Sequence, residues 1–194
     1  MAKPRSGIAA IILAAGLSKR AGLTNKLLFD IEGRPMIAKV VAQVIQVGLE
    51  PVLVVTGHEL KAVTEAIGDF ELQYIHNFDY QEGMASSIRR GIGALEENIE
   101  GAMICLGDMP WVQTLTLERI VEAFYPEMER EICRPVCRGM LGNPVLFARR
   151  HFEGLMKLKG DSGGKSVIEQ NPSVVFNVDV DDVGVLRDLD RLPP

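Results

Sequence analysis

The chain has 194 residues, of which 47% are hydrophobic and 24% charged, the balance of an ordinary globular protein with one sizeable core. Its net charge of −5 argues against a nucleic-acid-binding surface. No apolar run reaches the ~18 residues of a membrane span, so we expect one domain over residues 1–194 that does not enter a membrane.

The predicted elements alternate between strands and helices along the chain. Residues 8–13 are apolar on both faces, as in a central parallel strand, and Pro35 and Gly48 bound the first predicted helix. The other predicted strands are 52–56, 72–75, 102–106, 132–136, 143–147 and 174–178, and the other predicted helices are 60–67, 86–95, 115–124, 150–157, 165–170 and 183–189. This alternation predicts an α/β three-layer sandwich with a mostly parallel sheet, whose ligands bind beyond the carboxyl ends of the strands.

The loop after the first strand has the composition of a phosphate site. Ala14, Ala15 and Gly16 leave the backbone accessible to a base or a phosphate, and Arg20 and Lys26 supply the positive charge that a triphosphate needs. A surface turn with two solvated cations is the alternative. Two familiar phosphate loops are absent, because no G-x-G-x-x-G follows this strand and residues 160–166 are one residue short of a Walker A motif.

The pattern L-A-A-G-x-S-x-R-x-G followed by N-K resembles the signature of the MobA-like nucleotidyltransferases. Within that group it is most similar to the molybdenum cofactor cytidylyltransferases. The resemblance implies a nucleotide-diphospho-sugar transferase-like (Rossmann-like) fold in which Leu13, Ala14, Ala15 and Gly16 cradle the base, while Arg20 and Lys26 hold the triphosphate. The family tends to carry L-A-A-G for CTP and L-A-G-G for GTP, so Ala15 implies CTP.

Two carboxylates are candidate ligands of Mg²⁺, which prefers one or two carboxylates together with substrate phosphates. Asp108 lies in G-D-M-P directly after a buried strand, where the family has the same motif, although the residue types also suit a turn. Asp179 ends the last predicted strand, where the family usually reads D-x-D-T-P-E-D-L. Here the first Asp is Asn177 and T-P-E-D is missing, so a helix cap is an equal interpretation of Asp179.

Three further segments resemble the acceptor side of the family. Ser86 lies in G-M-x-x-S before a predicted helix, where free N–H groups would suit a phosphate and a plain N-cap is the alternative. Asn143 lies in G-[NH]-P-V-L-F and can both donate to and accept from a pterin edge. Lys165 stands in L-x-G-D-x-G where Arg is common.

The remaining reactive residue types predict no further chemistry. Cys105, Cys133 and Cys137 are odd in number, which argues against a disulfide framework and favours the cytoplasm, and no other zinc ligands are evident near Cys133 and Cys137. The three histidines are dispersed without a nucleophile motif. Trp111 would either line the site or pack in the core as an ordinary aromatic side chain.

The resemblance, over residues 11–182, implies transfer of CMP from CTP to the terminal phosphate of a molybdopterin-type cofactor with release of pyrophosphate, catalysed by Arg20, Lys26 and Asp108 with Mg²⁺. A molybdoenzyme of the xanthine dehydrogenase type would be the partner that receives the product. Two alternatives remain open. One is an enzyme of the same fold that uses GTP or another phosphorylated acceptor, such as a sugar phosphate. The other is a chaperone that binds the cofactor without chemistry.

Overall fold

The computed structural model describes residues 5–17 and 25–189, which form a central sheet with helices on both faces. The strands are β1 (Arg5–Ala14), β2 (Leu49–Thr56), β3 (Gln73–His76), β4 (Gly101–Leu106), β5 (Ile132–Cys137), β6 (Met140–Leu141), β7 (Val145–Ala148) and β8 (Val175–Asp179). The helices are α1 (Met36–Gln46), α2 (Leu60–Ile67), α3 (Met84–Gly93), α4 (Thr114–Ala123), α5 (Phe152–Met156) and α6 (Lys165–Gln170). The predicted α/β class is confirmed. None of the helices in the described ranges combines the length and the apolar character that crossing a membrane requires.

The sheet has the order β3-β2-β1-β4-β7-β5-β6, and β8 also pairs with β5, outside this linear order. β1 lies between β2 and β4 and is parallel to both, while β7 is antiparallel to its neighbours β4 and β5. Every strand except β6 and β7 therefore ends at the same edge of the sheet. Because ligands of such sheets bind at the carboxyl ends of the parallel strands, this edge is the place to search for chemistry.

The two faces of β1 explain why this strand is apolar from Ile8 to Ala14. Ile12 and Val54 belong to the core cluster under α1, α2 and α4, whereas Ile11 and Val55 belong to the cluster under α3, α5 and α6. Successive side chains of a strand point to opposite faces, so a strand covered on both sides buries every residue. Burial of each such side chain contributes about 1.5–3 kcal/mol, which fixes the strand that carries the first loop.

The C-terminal segment differs from the prediction. Instead of a helix over residues 183–189, the chain forms a 3-10 turn, Val183–Leu186, and then continues as irregular backbone. The reason is tertiary, because the Leu189 N–H donates to the carbonyl of Asp108 at 3.0 Å rather than to a carbonyl of its own segment. The apolar spacing of this segment instead buries Val185 and Leu189 against the loop that follows β4.

Two other element boundaries differ from the prediction for local reasons. Helix α3 begins at Met84 with Gly83 at its N-cap, so Ser86 lies inside the first turn and is not the cap residue. Strand β7 begins at Val145 rather than at Asn143, since Pro144 has no N–H to donate to the sheet.

Candidate active site

Lys26 and Asp108 form an ion pair at the carboxyl edge of the sheet. Lys26 opens a 3-10 turn that is capped by the Asn25 side chain, and Asp108 follows β4 by two residues. The Lys26 Nζ lies 2.6 Å from the Asp108 Oδ2, and the two side chains are 18% and 20% exposed. The fold thus joins two predicted site residues that are 82 positions apart in the sequence. Arg20, the other predicted phosphate ligand, lies outside the described residues.

A close backbone contact holds Asp108 beside the first loop. The Gly107 N–H donates to the Leu13 carbonyl at 3.0 Å, and a Cβ built on Gly107 would lie 2.8 Å from that oxygen. Such a distance is too short for a real Cβ, so only glycine lets the end of β4 approach the end of β1 this closely. The predicted base-binding loop and the predicted metal ligand are therefore neighbours.

The predicted base-binding loop forms a compact wall at the end of β1. Ala14 and Ala15 are buried, whereas Gly16 is exposed. A Cβ on Gly57 would lie 2.9 Å from the Ala15 Cβ and 2.7 Å from the Tyr80 Cβ, so the absence of a side chain at Gly57 permits this packing. The Ala15 methyl group thus occupies a defined place between the loop and the ends of β2 and β3.

The start of α3 is more fully bonded than the sequence predicts. The N–H groups of Met84 and Ala85, predicted to be free for a phosphate, donate to the Asp161 Oδ1 at 3.3 Å and to the Gly160 carbonyl at 3.0 Å. The G-D-x-G loop therefore caps this helix. The hydroxyl of Ser86 is buried and donates to the Gly83 carbonyl at 2.8 Å.

Asn77 is a positioning residue that sequence reasoning missed. It is fully buried at the end of β3, and its Nδ2 donates to the hydroxyls of Ser86 and Ser87 at 2.8 and 3.1 Å. Its Oδ1 accepts from the Asp79 N–H at 3.0 Å. The side chain thus fixes α3 to the sheet edge next to the first loop. A buried asparagine directly after a strand was the available signal.

A cavity of about 790 Å³ opens on the same face of the sheet as α3 and α6. Asn143 lines it, as predicted for the acceptor side, and so does Lys165 at the start of α6. Most of the other lining residues are apolar or glycine: Met84, Ile88, Ile104, Leu106, Leu141, Gly142, Val145, Phe147, Gly163, Gly164, Ile168, Pro172 and Val175. The volume and the apolar lining are typical of a small-molecule site.

The structure places Asp179 at the edge of the sheet, away from Asp108. Asp179 ends β8, and β5 and β7 lie between β8 and β4. Three strand spacings of about 4.8 Å separate the two strands by roughly 14 Å. Asn177 lines the cavity, and alternation along β8 sends the exposed Asp179 side chain to the same face, farther along the strand.

The segment after β8 reaches Asp108 directly. Asp182, only 3% exposed, accepts from Gln113 N–H at 2.9 Å, from the Thr116 hydroxyl at 2.7 Å and from Gly184 N–H at 2.9 Å. These bonds hold the chain against the loop after β4, where the Leu189 N–H donates to the Asp108 carbonyl.

Asp188 therefore precedes Leu189, whose backbone N–H donates to the Asp108 carbonyl. The sequence alone does not reveal this contact. Two aspartates separated by one residue occur at residues 179–181 and again at residues 188–190. The family's D-x-D aligns with residues 177–179, two positions before the first of these pairs. The backbone contact between Leu189 and Asp108 brings Asp188 near the Asp108 carbonyl, whereas Asp179 ends a strand separated from β4 by β5 and β7. Asp190 lies outside the described residues.

The other reactive residue types take structural places. Burial raises the pKa of the Cys105 and Cys133 thiols to about 12, so neither is a nucleophile near neutral pH. His151 is buried with its Nε2 2.9 Å from the Glu131 Oε2. Trp111 packs against the core cluster and has the Arg187 guanidinium 3.8 Å from its ring centroid. Across residues 5–17 and 25–189, no three His, Cys, Asp or Glu side chains group closely enough to hold a metal ion by themselves.

Comparisons with known proteins agree with this geometry. The MobA-like NTP transferase domain model matches residues 10–174. The bifunctional protein GlmU of Anaeromyxobacter dehalogenans is 33% identical over 127 residues, which are 63% of this chain and 26% of that protein, so the chain spans about a quarter of this relative's length.

Solved structures share the fold over most of its length. A homologue of Mycobacterium tuberculosis Rv0371c from Mycobacterium sp. strain JC1 superposes with a TM-score of 0.83 at 24% identity, covering 92% of this chain and 88% of that one. Rv0371c from M. tuberculosis H37Rv in complex with manganese gives a TM-score of 0.77 at 23% identity, covering 90% and 89%. The family match over residues 10–174, together with the shared fold, leads to one conclusion: this chain belongs to the MobA-like NTP transferase domain family.

Proposed function

We propose that the protein transfers CMP from CTP to the terminal phosphate of a molybdopterin-type cofactor and releases pyrophosphate. The observation that carries this proposal is the Lys26–Asp108 pair, because Gly107 joins Asp108 to the predicted base-binding loop and Leu106, two residues before Asp108, lines the large apolar cavity. A nucleotide on the loop and an acceptor in the cavity would meet at this pair. The reaction needs that meeting point and no protein nucleophile.

The residues of this edge suit each step of the transfer. An oxygen of the acceptor phosphate attacks the α-phosphorus of CTP in line, the bond to the β-phosphate bridging oxygen breaks, and pyrophosphate leaves with the electron pair. Lys26 and Arg20 would hold the triphosphate by charge-assisted hydrogen bonds. A bound triphosphate offers the Lys26 ammonium a new anionic partner, which releases Asp108 from the pair.

Asp108 would hold a divalent cation once Lys26 has turned to the nucleotide. A partly exposed carboxylate at the site fits Mg²⁺, which takes one or two carboxylates plus phosphates. When bound, Mg²⁺ would offset the charge that grows on the phosphates during transfer. The manganese complex of Rv0371c supports a divalent-metal site in this family. For a second carboxylate, the contact of Leu189 with Asp108 favours Asp188 over Asp179.

The choice of CTP rests on Ala15. Ala15 is buried beside Gly57, where an added Cβ would lie 2.9 Å from the Ala15 Cβ, and a glycine at position 15 would leave the space of this methyl group open. A filled space favours the smaller pyrimidine by shape.

The acceptor proposal rests on the cavity. Its apolar lining suits a flat heterocycle, whereas a sugar phosphate would leave hydroxyl groups without partners. Asn143 is placed to meet the polar edge of such a ring, and Ser86 supports the wall of the site. A xanthine dehydrogenase-type enzyme in the cytoplasm would receive the product.

Pyrophosphate release tests the function. The purified protein is incubated with Mg²⁺, a molybdopterin-type cofactor and either CTP or GTP, alongside Asp108→Asn, Lys26→Gln and the exposed control Lys61→Gln. Release with CTP alone that is lost in the first two variants and kept in the control is the expected result. Release with GTP alone would overturn the Ala15 argument, and cofactor binding without release would favour the chaperone.

The second carboxylate has its own test. Asp179→Asn and Asp188→Asn are compared for the Mg²⁺ concentration that gives half-maximal release. We expect a several-fold increase for Asp188→Asn, because the neighbouring Leu189 contacts Asp108, and less than a twofold change for Asp179→Asn, because Asp179 ends a strand separated from β4 by two others. The reverse order would assign the role to Asp179.

A further inference from the structure

Arg134 is a cation inside the apolar cavity with a neutral partner. It lies on β5, half-buried among the cavity-lining residues, and its Nε donates to the Asn177 Oδ1 at 2.8 Å. The other charged lining residues are Lys165 and Glu169, which form an ion pair with 3.7 Å between the Lys165 Nζ and the Glu169 Oε1. Within the part of the chain that the structure describes, no carboxylate comes within ion-pair distance of the Arg134 guanidinium.

The amide of Asn177 orients the guanidinium without neutralising it. A guanidinium presents its donors in a rigid fork, and one bond to Nε fixes the plane of that fork. The terminal Nη1 and Nη2 groups make no hydrogen bond to another described side chain. A carboxylate at position 177 would form an ion pair with Arg134 and cancel its charge, so the asparagine preserves a positive charge for a ligand.

The position of Arg134 separates it from the reacting phosphate. Cys133 pairs with Leu146 of β7, and Leu146 pairs with Met103 of β4, so Arg134 lies two strands from β4. Two strand spacings amount to roughly 10 Å. The acceptor phosphate that reacts near Asp108 is therefore not the group that Arg134 meets.

We infer that Arg134, oriented by Asn177, is a specificity-determining residue that binds a second anionic group of the acceptor, at a point remote from the reacting phosphate. The inference rests on the proposed function in placing the acceptor in this cavity. It defines the acceptor class as a largely apolar or aromatic body with two separated anionic groups. An acceptor that lacks the second group would lose a charge-assisted hydrogen bond to the half-buried guanidinium, which weakens its binding.

A matched pair of fluorescent probes tests the cation without any assumption about the natural acceptor. 8-Anilinonaphthalene-1-sulfonate has an aromatic body with one anion, and N-phenyl-1-naphthylamine is the same body without it. Both are titrated against the wild type, Arg134→Gln, Asn177→Asp and the control Lys61→Gln, whose side chain is 89% exposed on α2.

The sulfonate probe should bind about tenfold more weakly to Arg134→Gln and to Asn177→Asp, as expected for loss of a charge-assisted hydrogen bond. The neutral probe should change less than twofold in every variant. Equal sulfonate binding in the wild type and Arg134→Gln, or equal losses for both probes, would overturn the inference. Thermal melts of both variants identify any loss that comes from unfolding.

The transfer reaction then separates the inference from the proposed function. In both variants we expect KM for the acceptor to increase about tenfold while KM for CTP stays within twofold, because the cation lies on the acceptor side. An unchanged KM for the acceptor would overturn the inference. If the wild type shows no transfer with a molybdopterin-type cofactor, the proposed acceptor is wrong, and the probe titrations still decide the role of Arg134.

Discussion

Replacing Asp182 by alanine should loosen the attachment of the C-terminal segment to the active site. The carboxylate is 3% exposed and accepts three hydrogen bonds, at 2.7 Å from the Thr116 hydroxyl and at 2.9 Å from the N–H groups of Gln113 and Gly184. A hydrogen bond to a charged group contributes about 1.5–3 kcal/mol, and three that share one carboxylate do not add fully. The expected loss in the free energy of unfolding is about 3–5 kcal/mol.

Urea unfolding at neutral pH measures this loss, and the neighbouring Asp181 supplies a matched control. Asp181 is exposed, so Asp181→Ala should change the free energy of unfolding by less than about 0.5 kcal/mol. The same Asp182 variant should also increase the Mg²⁺ requirement of the reaction, since Leu189 would no longer be held at the Asp108 carbonyl. A loss below about 1 kcal/mol, or equal losses in both variants, would refute the argument.

Three other outcomes follow from the geometry. Removing divalent cations with a chelator should abolish pyrophosphate release by the wild type. Returning Mg²⁺ should restore release by the wild type but not by Asp108→Asn. Gly107→Ala should destabilise the fold by about 1–3 kcal/mol and slow transfer, since its Cβ would lie 2.8 Å from the Leu13 carbonyl. Because burial raises the pKa of Cys105 and Cys133 to about 12, from about 9 in the unfolded chain, stability should be constant below pH 9 and fall as the pH increases toward 12, measured by urea unfolding.

Each of these outcomes has a direct control. Gly93→Ala adds a Cβ whose nearest neighbour is the flexible end of Met156 at 3.7 Å, so it should be tolerated where Gly107→Ala is not. Equal effects of the two glycine variants would contradict the close-approach argument. Rapid labelling of Cys105 by a thiol reagent in the folded protein at pH 8 would contradict its burial, and full activity in the presence of a chelator would remove the metal from the mechanism.

Local signals correctly predicted the central strand and the fold class that carry the candidate site. The apolar run of β1 identified a central strand because a strand covered on both faces has no polar positions. The bare loop after it and the Gly-Asp pair after β4 were placed at one edge, since parallel strands end together. The structure joins Lys26 to Asp108 at that edge.

Other roles depended on partners that are distant in the chain. Ser86 reads as a helix cap from its residue type, yet its hydroxyl is bonded inside the turn because Asp161 and Gly160 cap α3 instead. Arg134 and Asn177 carry no motif, and their pairing exists because β5 and β8 lie side by side. A pattern of residue types does not encode such pairings.

The sequence by itself determined the α/β class and the positions of the loop after β1 and of the acid after β4, because strand burial, glycine and charge act over a few neighbouring residues. Only the tertiary structure showed that Leu189, next to Asp188, contacts Asp108, because these residues are distant in the sequence. The buried bonds of Asp182 hold the segment that makes this contact. Bonds between segments more than sixty positions apart depend on how the whole chain packs, and no local pattern contains that information.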